Sequence, residues 1–128
     1  MSKFTIYQIN DRDDANLPVV RDLMCFGSEA YKSEMIDMFE IVAEIESDTI
    51  EMVFHWMNRD GWRNDSERVT LRKQARSLSI GDMVFDQANP AFYMVDHEGF
   101  TKVKMDLDME DMNERLQALH ERVTKLIA

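Results

Sequence analysis

The chain has 128 residues, 45% of them hydrophobic, with 15 basic and 25 acidic side chains giving a net charge of −10. That size suits one domain with a single core, and the apolar content excludes a disordered chain. Uninterrupted apolar runs are only a few residues long, short of the roughly 20 a membrane-spanning helix needs, and the acidic balance opposes wrapping a polyanion.

The N-terminal Met1-Ser2-Lys3 runs straight into an alternating segment with no apolar leader core. The single Cys25 cannot form an internal disulfide, which suits a reducing compartment. Both point to the cytoplasm. The charge is unevenly placed: residues 1–60 carry 5 basic and 13 acidic side chains, 61–105 carry 7 and 6, and 106–128 carry 3 and 6.

In chain order, residues 3–9 (KFTIYQI) alternate loosely and are rich in aromatic and β-branched side chains, which predicts a strand. Residues 10–18 (NDRDDANLP) predict a polar loop broken by Pro18. Residues 19–38 predict one or two short helices around Gly27, with Ser28 as N-cap of the second. Residues 39–46 (FEIVAEIE) predict a strand with Phe39, Ile41, Ala43 and Ile45 on one face and Glu40, Glu44 and Glu46 on the other. Asp48 followed by Glu51 resembles a capping box. It opens a helix whose stripe Ile50, Val53, Phe54 and Met57 follows helical spacing and which Gly61 ends.

Residues 62–76 (WRNDSERVTLRKQAR) form a basic island. After Gly81, short strands at MVF, AFYMVD and FTKVKM predict an antiparallel meander, with turns at Asn89-Pro90 and Glu98-Gly99. From Met105 onward, Met109, Met112, Leu116, Leu119, Val123 and Leu126 repeat at alternating spacings of four and three, an a/d heptad seam. Such a seam serves equally for docking on the chain's own domain or for a homodimer. The expected architecture is a small α+β domain over residues 1–105 with an antiparallel sheet and packed helices, followed by an amphipathic helix over 106–128.

Chemistry-bearing patterns are sparse. Asp96, His97 and Glu98 are the densest ligand cluster, but the position two after Glu98 is Phe100 rather than a lysine, so a metal-dependent nuclease pattern fails. A hairpin turn with solvated acids explains the cluster better. His55, His97, His120 and Cys25 lack zinc spacing. Ser77 and Ser79 lie in no nucleophile elbow, and Cys25 between Met24 and Phe26 reads as a small buried hydrophobe. No phosphate-cradling glycine loop occurs. These observations predict a protein without catalytic residues, cofactor or metal.

Two surfaces remain as candidates. An acidic face of Asp11, Asp13, Asp14, Glu40, Glu44 and Glu46 suits a partner protein with a basic surface. The alternative is nucleic-acid contact through Trp62, Arg63, Arg68, Arg72, Lys73 and Arg76, which the net field disfavours.

Four stretches together resemble the YodL-like family of small phage, plasmid and mobile-element proteins: IYQIN (6–10), VFHWMN (53–58), RSLSIGDMV (76–84) and AFYMVDHEGFTKV (91–103). Arg76, Ser77, Leu78, Ser79 and Asp82 match the family's pattern, as do Asp96, Gly99, Phe100 and Lys102. Gly81 departs from it, as do Ala75, the charged His97-Glu98 pair, the long basic island and the tail after Met105. The resemblance implies a non-enzymatic accessory protein that binds a host protein, of the kind that inhibits a host-defence component such as a CRISPR or restriction system.

Overall fold

The structure is a computed structural model, and it describes residues 2–10 and 12–103. Six strands form one antiparallel sheet: β1 Ser2–Ile9, β2 Phe39–Ser47, β3 Val69–Leu71, β4 Met83–Asp86, β5 Ala91–Val95 and β6 Phe100–Lys102, in the order β3-β2-β1-β4-β5-β6. Two α-helices, α1 Leu17–Phe26 and α2 Ile50–Asn58, and short 3-10 helices at Gly27–Ala30 and Ser33–Met38 complete the α+β domain. No helix among the described residues is long and apolar enough to cross a membrane. The heptad seam and the 105/106 boundary lie outside the described residues.

The sheet is covered on both sides, so β1 at its centre is buried from Phe4 to Ile9. Strand residues alternate between faces, and β1 sorts the core accordingly. Phe4 and Ile6 join Ala43, Ile45, Val84, Val53, Met57, Trp62, Ala75 and Leu78 in one apolar cluster. Tyr7 and Ile9 join Phe39, Ile41, Met83, Phe92, Met94, Leu23 and Ile36 in a second. The first layer is roofed by α2 and the segment after it, the second by α1 and the 3-10 helices. Complete burial of side chains such as Val53 and Met57 stabilises by roughly 1.5–3 kcal/mol each.

A β-bulge in β2 overturns the single-face reading of that strand. Ile6 pairs with Ala43 but the next residue, Tyr7, pairs with Ile41, leaving Val42 as the extra residue. Phe39 and Ile41 therefore face α1, whereas Val42, Ala43 and Ile45 face α2. The glutamates divide with them. Glu40 lies opposite Gln8, while Glu44 and Glu46 lie opposite Thr5 and Lys3, on the other face.

Other expectations are corrected locally. Pro18 sits in the first turn of α1 rather than breaking the chain, where its missing N–H and fixed φ are tolerated. Ser28 caps no helix; its hydroxyl donates to Asp96 at 2.5 Å. The α2 N-cap is Thr49, whose Oγ1 accepts from the Met52 N–H at 3.3 Å, in place of Asp48. That helix ends at Asn58, before Gly61. Phe54 is 44% exposed, because the buried stripe is Val53 and Met57 flanked by Ile50 and Trp56. Cys25 is exposed rather than buried: α1 turns Leu23 inward, and Met24, Cys25 and Phe26 project outward.

Candidate functional site

The segment Arg76–Asp82 folds back against the centre of the sheet. Gly81 makes this close approach, with φ +95° and an added Cβ falling 2.8 Å from Leu23 Cβ. The Asp82 N–H closes the turn on the Ser79 carbonyl at 3.0 Å, and Asp82 itself is 1% exposed. Its carboxylate accepts from Arg76 Nη2 at 2.7 Å, the Ser79 N–H at 2.9 Å and Gln8 Nε2 at 3.1 Å. Burial outweighs the Arg76 guanidinium and pushes the Asp82 carboxyl up to about 6. Arg76 and Asp82 are thus structural partners, tying this segment to β1.

Beside this network lies an open groove of about 200 Å³, lined by Gln8, Ile9, Asn10, Arg12, Glu40, Val42, Arg63, Gln74, Ala75 and Arg76. It runs along the ends of β1 and β2 beneath the returning chain. No sequence pattern marks it, since its walls come from residues 8–12, 40–42 and 63–76.

The basic island contains a 3-10 turn, Trp62–Asn64, and the edge strand β3. Most of its cations meet the chain's own carboxylates. Arg68 lies 3.7 Å from Asp65 and stacks 3.8 Å from the centre of the Trp56 ring. Arg72 pairs with Glu44 and Lys73 with Glu40, each at 3.3 Å. Consecutive residues thus reach glutamates on opposite faces, as the bulge requires. Their two N–H groups share the Val42 carbonyl, at 2.9 and 3.2 Å. Trp62 is 2% exposed and belongs to the core, so it offers no open ring to a base. Arg63 stacks on that ring and donates Nε to the Ala75 carbonyl at 2.8 Å.

The six acidic candidates do not form one face. Asp11 lies outside the described residues. Asp13 and Asp14 are exposed, and Asp13 Oδ1 accepts from the Ala15 N–H at 3.0 Å. Glu40 and Glu44 are ion-paired on opposite faces, with Lys3 4.0 Å from Glu44. Glu46 is half-buried, and its carbonyl accepts from Arg68 Nη1 at 3.2 Å.

The Asp96 cluster is a fastening. Asp96 accepts from the Ser28 and Thr101 hydroxyls and the His97 N–H, and these bonds, Ser28 foremost, hold its carboxyl below the usual carboxylate range. His97 Nε2 lies 2.9 Å from the Cys25 carbonyl oxygen. Together they tie the β5–β6 hairpin to the end of α1. Glu98 is exposed. Among the described residues no group of three or more His, Cys, Asp or Glu side chains could hold a metal ion.

A feature the sequence reading missed lies on α1. Met24 is 50% and Phe26 60% exposed. Flanking them in the chain, the carboxylates Asp22 and Glu29 and the cations Arg21 and Lys32 are exposed and form no ion pair among the described residues. The signal was present in the run Asp22-Leu23-Met24-Cys25-Phe26, which holds more apolar residues than one helix face can bury. No family model, curated protein or solved structure matches the chain.

Proposed function

We propose that this protein is a non-enzymatic binding module that docks on a basic surface of a partner protein through the outer face of α1. One observation carries the reading: Met24 and Phe26 stand exposed side by side at the end of α1, whereas the cations of the basic island are mostly engaged within the chain. An exposed aromatic and a methionine supply the apolar centre of an interface, and the chain's net charge of −10 steers a basic partner towards the molecule. The same internal pairing weighs against nucleic acid as the ligand.

The resemblance to the YodL-like family supports a phage or mobile-element origin, which makes a bacterial host protein the partner. Inhibition of a nucleic-acid-handling defence enzyme fits this chemistry, because such enzymes carry basic surfaces that an acidic protein can occupy. The working compartment is then the host cytoplasm.

The test is affinity purification from host lysate with the parent chain, a D22K/F26S variant and an E51K control on α2. The reading requires a stoichiometric partner that elutes with salt, is retained by E51K and is lost with D22K/F26S. Equal capture by all three sinks it.

A further inference from the structure

The groove beside the Arg76–Asp82 pair has a charge pattern of its own. Its lining holds Arg12, Arg63, Arg76 and Glu40. Arg76 is matched by Asp82 and Glu40 by Lys73. Arg12 and Arg63 form no ion pair among the described residues. Both are instead held by neutral acceptors on consecutive residues. Arg12 Nη1 donates to Gln74 Oε1 at 3.0 Å and Arg63 Nε to the Ala75 carbonyl at 2.8 Å.

Arg12 is held further by Asn10 Oδ1 at 3.3 Å, and Arg63 by its stack on the Trp62 ring at 4.6 Å. Two guanidinium groups are therefore positioned at one groove with their charge uncompensated, in a chain of net charge −10. By contrast, Arg59, Arg68, Arg72 and Arg76 each lie beside a carboxylate. The side-chain amides of Asn10 and Gln74 offer further donors at the same wall, since their oxygens already accept from Arg12.

We infer that this groove binds a phosphate-class dianion, either inorganic phosphate or the phosphoryl end of a small monoester. Guanidinium forks match phosphate oxygens geometrically, and two uncompensated cations balance a charge of about −1.5 to −2. At about 200 Å³ the groove is smaller than the roughly 300–1,000 Å³ of pockets that enclose drug-sized ligands. It suits a phosphoryl group with little attached.

The experiment is a titration of the ¹⁵N-labelled full chain with inorganic phosphate and, separately, glycerol phosphate, each against chloride at matched ionic strength. Saturable shifts of the Asn10, Gln74 and Ala75 amides in the millimolar range are expected with either ligand, and the tighter of the two names the source. R12Q, an exposed position, should weaken binding about tenfold, and R63Q should do the same. R12Q alone decides the matter if R63Q fails to fold. Absence of saturable shifts, undiminished binding by R12Q, or equally tight binding of acetate overturns the assignment.

Discussion

Gln8 on the central strand and Arg76 on the returning segment exchange hydrogen bonds in both directions. The Arg76 N–H donates to Gln8 Oε1 at 3.2 Å, and Gln8 Nε2 donates to the Arg76 carbonyl at 3.0 Å. The side-chain amide thus stands in for a neighbouring strand where the sheet has none to offer. It also places the Arg76 guanidinium against Asp82.

Breaking that arrangement leaves a buried carboxylate without its cation. R76Q should lower the unfolding free energy by about 3 kcal/mol, and Q8A by about 2 kcal/mol through unmade buried hydrogen bonds. Urea denaturation of the two variants checks this. Losses below about 0.5 kcal/mol, typical of surface positions, would show that the network does not hold the segment down.

Asp82 also sets a pH dependence. Its folded value of about 6 lies above the ordinary 3.8, so between them the folded state binds more protons than the unfolded one. Stability from this group is full below about 3.8 and is lost as pH rises through about 6. The parent chain should lose on the order of 3 kcal/mol relative to D82N across that window. A difference that stays flat from acid to neutral pH contradicts the shifted carboxyl.

Two glycines with positive φ should respond very differently to alanine. Gly27 has φ +62°, and an added Cβ would fall 1.9 Å from Asp96 Oδ1. Gly61 has φ +75° with open space around it. G61A should cost about 1 kcal/mol from backbone strain alone. G27A should cost about 3 kcal/mol or more, because with ψ −142° its backbone lies outside the left-handed helical region and the new methyl dislodges the carboxylate that Ser28 and Thr101 hold. Thermal melts of the pair read this contrast.

On α2, M57A should destabilise by about 3 kcal/mol as a cavity opens in the core, while F54A should change stability by less than about 1 kcal/mol. Comparable losses at both positions would restore the stripe that helical spacing alone predicts.

That last comparison marks where the sequence was legible. Strands β1, β2, β4, β5 and β6 and helix α2 follow from apolar periodicity and turn residues, because those signals are local, whereas α1 was legible only as a short helix before Gly27 and starts inside the expected loop. The basic island hid β3, whose three residues Val69-Thr70-Leu71 are too few to show a period. Phe54 misled because spacing assigns a side chain to a stripe without saying how wide a stripe the layer beneath can cover. The groove was invisible, since Arg12, Arg63 and Gln74 meet only after the chain returns along β2. Arg76 and Asp82 entered only through a family resemblance, and their mutual bond gives the pair a structural role of its own.

The bulge at Val42 has a consequence for chain length. A strand of strict alternation with Val42 deleted would still send Phe39 and Ile41 towards α1 and Ala43 and Ile45 towards α2. The extra residue shifts the phase of the strand without changing which layer any other side chain serves. The sheet can therefore gain or lose one residue at this point and keep its register with β1. Two chains differing in length here would share one architecture while their apolar patterns appear out of step.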